Sequence, residues 1–375
     1  MANRFEQFAA PGIRRLAPYV PGKPPEQLER ELGITGSIKL ASNENPLGPG
    51  PHARAALERA IAGVGLYPDG SGHVLRARLA EKHQVSIDQV TLGNGSNDAL
   101  VLLAETFLTP DCEAVYSQYA FAVYPIAVQA SGAQARVAPA NSPDHRMPLG
   151  HDPATLLAAS GPKTRIAFLA NPNNPTGTWL SGPELEALVR GIPPEVIVVL
   201  DEAYHEYSID AGVPDGSKLL ARHPNLVVAR TFSKAYGLAG LRVGYTLSHP
   251  DVADLLNRVR QPFNVSVPGL AAAAGALDDR EHVEKTVALN RQSIAQLREG
   301  LTALGLVVLP SAANFVLCGL RQPAAKVSDS LLRRGVIVRP VANYGLPNHL
   351  RISTGTAEQN ERLLAAMAAA LAERA

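Results

Sequence analysis

Val196-Ile197-Val198-Val199-Leu200-Asp201-Glu202-Ala203-Tyr204 is the stretch on which the fold turns. It opens with five apolar residues in a row, four of them β-branched, which favours an extended chain. Because apolar and polar residues do not alternate, both faces of the strand must be covered. That is the habit of a parallel sheet between two layers of helices. The run then stops at a carboxylate, Asp201, and the carboxyl ends of such strands are where open α/β sheets hold ligands.

Outward from this stretch the pattern repeats. Runs at 165–170 and 226–229 have the same character, and 90–92 and 114–116 are shorter versions. Helical patterns at 98–106 and 121–130 follow the two shorter runs. Together they predict a large α/β domain on a mostly parallel sheet. From about Asp251 the texture changes. Long helical patterns at 280–304, with Val283, Val287, Ile294, Leu297 and Leu301 near helical spacing, and at 358–374 flank strand candidates at 306–309, 314–318, 336–338 and 350–353. This reads as a smaller α+β domain. The first forty residues, rich in Pro and Gly, suit an arm lying across something else. The expected division is residues 1–40, 41–255 and 256–375, with no internal repeat and no low-complexity tract.

Composition narrows the class. At 375 residues, with 46% apolar and 18% charged residues, the chain can bury a large core as a globular enzyme does. Lys and Arg number 35 against 34 Asp and Glu, so no basic excess calls for nucleic acid. Cys112 and Cys318 make no metal-ligand spacing, and a free cysteine in an apolar run usually packs as a small hydrophobe. Residues 1–10 lack the apolar core of a signal peptide, and the alanine-rich runs at 269–277 and 363–371 are too short to span a bilayer. The expectation is a cytoplasmic protein with no membrane partner.

Polar loops follow the predicted strands repeatedly. Gly93-Asn94-Gly95-Ser96-Asn97 offers glycines and a helix N-terminus, which suits an anion; it reads equally as a glycine turn with Ser96 or Asn97 capping a helix. Lys234, in Thr231-Phe232-Ser233-Lys234, is embedded among apolar residues near Arg242. Desolvation and a cationic neighbour would make it an imine-forming nucleophile, although an isolated lysine is usually a solvated surface residue. Asp201 needs a positive partner if buried. A protonated ring nitrogen would supply one; a strand-end Asp is also a common helix cap. His205 and Trp179 read as packing residues.

In order and spacing, Asn174-Pro175-Thr176-Gly177, Asp201 with Tyr204, Ser233-Lys234 and Arg242 resemble the fold-type I aminotransferases. More narrowly, Asn43-Glu44-Asn45-Pro46, Tyr67-Pro68-Asp69-Gly70, Asp201-Glu202-Ala203-Tyr204, Ala239-Gly240-Leu241-Arg242-Val243-Gly244 and Leu350-Arg351-Ile352 are similar to the histidinol-phosphate aminotransferase family, from about Tyr19 to the C-terminal helix. The resemblance implies a seven-stranded, mostly parallel sheet sandwiched by helices, a smaller α+β domain, and pyridoxal 5'-phosphate as cofactor. It implies that Lys234 binds the cofactor as an imine and moves the proton between Cα and C4′. Asp201 would pair with the ring nitrogen, and Asn174 and Tyr204 would bond O3′. Ser96, Asn97, Ser233 and Arg242 would hold the phosphate, with Tyr67 reaching in from the second subunit of a homodimer on which the arm also packs. Phe121, or alternatively Tyr119, would stack on the ring. Arg351 would clamp a substrate carboxylate, with Asn43 nearby, and Tyr19 and Arg339 would meet a substrate phosphate. The implied reaction is transamination in histidine biosynthesis between histidinol phosphate and 2-oxoglutarate. Aromatic amino acid transamination, decarboxylation of a phosphorylated amino acid and a ligand-sensing role are the alternatives; the short, Pro-rich arm argues against a DNA-binding sensor.

Overall fold

The computed structural model describes residues 4–19 and 21–373. Arg374, the expected end of the last helix, lies outside them. After the helix Pro25–Leu32 and β1 (Ile38–Lys39) the chain builds one large sheet. Its strands are β2 (Val90–Gly93), β3 (Glu113–Ser117), β4 (Gln134–Ala138), β5 (Thr164–Ala170), β6 (Ile197–Asp201), β7 (Leu226–Thr231) and β8 (Gly244–Leu247). They lie in the order β2-β8-β7-β6-β5-β3-β4. β8 runs antiparallel to both neighbours, and the other pairings are parallel.

The unbroken apolar runs are explained by two cores. Val198 and Leu200 face one, with the helices Pro51–Ala60, His73–His83, Gly182–Gly191 and Val267–Ala276. Val199 faces the other, with Ser96–Phe107, Val123–Ser131 and Pro250–Val259. Each fully buried Val or Leu contributes about 1.5–3 kcal/mol, so β6 is held from both sides. Two strands of this sheet were not anticipated. β4 is an edge strand whose residues are mostly exposed, so its apolar signal is weak, and β8 is only four residues long.

The small domain adds β9 (Val307–Val308), β10 (Phe315–Gly319), β11 (Val336–Ile337), β12 (Arg339–Val341) and β13 (Leu346–Ser353). Four of these form an antiparallel sheet in the order β12-β13-β10-β9. The helices Arg280–Ala303, Ala324–Arg333 and Ala357–Ala372 cover it around Leu297, Val316, Leu331, Ile352 and Leu363. β1 pairs parallel with β11, and Leu28 and Ala41 pack on Ile337, so the end of the arm is tied to this domain. The expected boundary at 255/256 falls inside the helix Pro250–Val259. Val252, Leu256 and Ala272 belong to the large cores, while Leu297 and Leu301 belong to the small one. We therefore place the division along the helix Arg280–Ala303, where the texture of the sequence changes too gradually to mark it. Cys318 is buried and Cys112 half-buried, both as free thiols.

Candidate active site

β5, β6 and β7 all end on one side of the large sheet, and β13 approaches from the small domain. Between them is a cavity of about 250 Å³. Lys234 lines it from the loop after β7, and its Nζ donates to the carbonyl of Ser42 at 3.1 Å. Burial, then the charges of Arg351 and Arg242, pull the ammonium down to about 8. The expected cationic neighbour, Arg242, thus comes second to Arg351, which lies 117 positions further along the chain and gives no local signal (351 − 234).

Asp201 closes β6 and is buried. Its carboxylate accepts from Tyr124 Oη at 3.0 Å and from the Ala203 amide at 3.2 Å. Among the described residues no cation forms an ion pair with it. Burial pushes the carboxyl up to about 6 against these two hydrogen bonds. Tyr124 was missed as a site residue; the available signal was a tyrosine in an apolar helix, whose hydroxyl must find a partner when buried.

Around the Tyr204 hydroxyl the expected residues converge. Asn43 Nδ2 donates to it at 2.9 Å and Asn174 Nδ2 at 3.1 Å. Asn43 adopts φ 57°, a left-handed conformation that asparagine tolerates better than most residues, and it also accepts from Ser353 Oγ at 2.8 Å. Asn174 Oδ1 accepts from Arg351 Nη1 at 2.7 Å, and Arg351 Nη2 donates to the Ala41 carbonyl at 2.7 Å. Arg351 is buried over the Phe315 ring, its Nε has no partner, and among the described residues no carboxylate pairs with it. A buried guanidinium without an acid is suited to an anionic ligand.

A second anion cradle lies at the start of the helix Ser96–Phe107. Its N-cap is Gly95, with no side-chain cap, so neither Ser96 nor Asn97 serves as the helix cap. The first amides of a helix lack intrahelical partners and carry the positive end of its dipole. Arg242 adopts φ 55° and donates to Ser233 Oγ at 3.2 Å. A Cβ on Gly95 would fall 2.3 Å from the Arg242 guanidinium, so only glycine leaves this approach open. Ser96, Asn97, Ser233 and Arg242 all line the cavity.

Phe121 lines the cavity too, whereas Tyr119 packs with Leu309, Leu317 and Val341. At the mouth, the Arg339 guanidinium lies 5.6 Å from the centre of the Tyr19 ring, and both line the cavity. Tyr67 stands apart. It is 82% exposed and stacks on Phe263 at 4.8 Å, outside the cavity of its own chain. His205 also lies outside, beside Glu202. An acid without a cationic partner, a poised lysine, a helix N-terminus with an arginine, and a buried arginine without an acid fit the ring nitrogen, aldehyde and phosphate of pyridoxal phosphate and the carboxylate of an amino acid.

The family model for aminotransferase class I and II matches residues 35–367. A histidinol-phosphate aminotransferase 2 of Pseudomonas fluorescens is 54% identical over 374 residues, covering 99% of this chain and 100% of its own length. A protein of the same description from Pseudomonas aeruginosa is 54% identical over 370 residues, 98% of this chain and 99% of its own. Among solved structures, a histidinol-phosphate aminotransferase from Sinorhizobium meliloti in complex with pyridoxal-5'-phosphate superposes with a TM-score of 0.87 at 31% identity, over 96% of each chain. With these motifs, this sheet and these matches, the chain belongs to the class I and II aminotransferases.

Proposed function

We propose that the protein is a pyridoxal-phosphate-dependent transaminase that exchanges the amino group between histidinol phosphate and 2-oxoglutarate, giving imidazole-acetol phosphate and glutamate in histidine biosynthesis. The observation that carries this reading is one cavity that holds, besides Arg242, two further arginines: Arg351, buried and without an acid, and Arg339 on the Tyr19 ring at the mouth. The first suits the carboxylate of glutamate and the second the phosphate of the other donor. Full-length likeness to relatives of that name supports the same substrate pair.

When bound, pyridoxal phosphate supplies an aldehyde carbon that takes the amino group and a protonated ring that draws electrons from the substrate Cα. Lys234 is the attachment point, and with its lowered affinity for protons its Nζ takes the Cα proton. Asp201, steadied by Tyr124, keeps the ring nitrogen protonated. Asn174 and Tyr204, with Asn43 behind them, would hold the ring oxygen, and Phe121 would pack against the ring. Ser96, Asn97, Ser233 and Arg242 grip the phosphate. Tyr67 completes the cradle of a partner subunit in a homodimer, a reading supported by its exposure beside Ile61, Val64, Leu66 and Phe263. The free thiols suit the cytoplasm.

Single half-reactions test the assignment. The cofactor spectrum is followed after adding histidinol phosphate, phenylalanine, tyrosine or glutamate. Histidinol phosphate and glutamate should convert the cofactor with the highest kcat/KM; a preference for phenylalanine would reassign the enzyme to aromatic amino acids. Arg339→Ala should lower kcat/KM for histidinol phosphate by about 10–100-fold, as expected for loss of a charge-assisted hydrogen bond, and leave phenylalanine nearly unchanged. Equal losses for both would remove Arg339 from the phosphate site.

A further inference from the structure

Behind Asp201 and Lys234, on the opposite face of the sheet, lies a second charged group. Glu202 extends β6 by donating its amide to the Ala229 carbonyl at 2.8 Å, and Arg230 is the next residue of β7. Arg230 donates Nε and Nη2 to one oxygen of Glu202, at 2.9 and 2.6 Å, and Nη2 also to Asp215 at 2.6 Å. The other Glu202 oxygen accepts from the Gly216 amide at 2.8 Å. Arg230 is 3% exposed and Glu202 1%. Glu202, His205 and Asp215 hold ligand atoms within 4.8 Å of one another, a spacing that would suit a metal ion. The Arg230 guanidinium already bridges the two acids, so the cation of this cluster is the arginine.

We propose that Arg230, clamped by Glu202 and Asp215, is a positioning residue for the transamination site: it locks the carboxyl ends of β6 and β7 together from the reverse face, and so sets the Asp201 carboxylate against Ser233 and Lys234. The inference rests on the aminotransferase reading of the front face. Connectivity supports it. Asp201 and Glu202 are consecutive, and Arg230 is followed by Thr231, Phe232, Ser233 and Lys234, so a tilt of either strand end moves a front-face group with it. Energetics supports it as well. A buried ion pair contributes little net stability over apolar residues of the same volume, so stability alone is a poor reason for burying Arg230 and Glu202 here, with Asp215 half-buried at the edge. Its geometric value is larger, because a displacement of about 1 Å in a reacting group costs on the order of 100-fold in rate.

Two variants of the holoenzyme test the proposal. Glu202→Gln is nearly isosteric. The triple variant Glu202→Leu, Arg230→Met, Asp215→Asn removes the charges together, leaving no lone buried ion while keeping a cap for the Gly216–Leu219 turn. The readouts are melting temperature, the dissociation constant for pyridoxal phosphate, the pH midpoint of the bound-cofactor absorbance, and kcat and KM separately. The triple variant should melt within about 5 °C of the parent, yet bind the cofactor at least about tenfold more weakly, with a displaced midpoint and a lower kcat at similar KM. A folded triple variant with parental cofactor affinity and midpoint overturns the proposal. If the triple variant does not fold, Glu202→Gln decides on the same two readouts, and parental values there overturn it. A parent enzyme that takes up no cofactor at Lys234 overturns the front-face reading itself, which is a separate failure.

Discussion

At Lys234 the chemistry depends on one proton. An amine attacks only when neutral, and an ammonium brought down to about 8 becomes neutral well before an ordinary lysine does. Capture of pyridoxal phosphate by the apoenzyme should therefore rise as the pH passes through about 8, read from imine absorbance; a midpoint near the ordinary lysine value would show that burial does not act on this group. Arg351→Met removes the second cause of the shift, so that midpoint should move upward. Tyr124→Phe deprives the buried Asp201 carboxylate of one of its two hydrogen bonds. It should lower kcat by about tenfold, the worth of roughly one such bond, with KM little changed; a parental kcat would exclude Tyr124 from the site. Most of the expected residues that line the cavity were legible because they sit in short motifs at strand ends. Tyr124 and the effect of Arg351 on Lys234 were not, since both arise from contacts between distant parts of the chain.

Among elements, the helix Ser96–Phe107 depends most on what glycine permits. Gly95 adopts φ 84° and faces the Arg242 guanidinium, and a Cβ on Gly244 would meet the Ser96 amide at 2.2 Å. Gly95→Ala should weaken cofactor binding by at least about tenfold, because it strains the backbone and displaces Arg242. Equilibrium dialysis checks it, and unchanged affinity would mean that the loop does not grip the phosphate. Gly244→Ala pushes backbone against backbone, so it should cost about 1–3 kcal/mol of stability, measured by denaturant titration. The buried strands β5, β6 and β7 were legible because burial on both faces writes an unbroken apolar run. β4 was not, because an edge strand is partly solvated and carries Gln134 and Arg136. β8 was read as a motif rather than a strand, since Gly244-Tyr245-Thr246-Leu247 is too short to show a period.

For the whole molecule, the open question the sequence raised was Tyr67. It does not line the cavity of its own chain, it stacks on Phe263, and Ile61, Val64 and Leu66 just before it are exposed too, which is the arrangement expected of a residue that works in a neighbour. Mixing inactive Tyr67→Ala and Lys234→Ala proteins should restore part of the activity through hybrid dimers, each carrying one intact site. No recovery despite demonstrated subunit exchange would mean that the sites are not shared. The two separate sheets were legible as a change of texture, but the switch of packing partners along the helix Arg280–Ala303 was not, because that helix keeps a single period while changing its partners. The place of β8 bears on synthesis at the ribosome. β2 has β8 as its only neighbour in the large sheet, and β8 is made some 150 residues later (244 − 93 = 151). A nascent chain that ends before Gly244 carries Val90–Gly93 without its sheet partner, and non-local pairing of this kind is slow and exposed to aggregation. Truncated chains ending before Gly244 should therefore be recovered from chaperones or pellets.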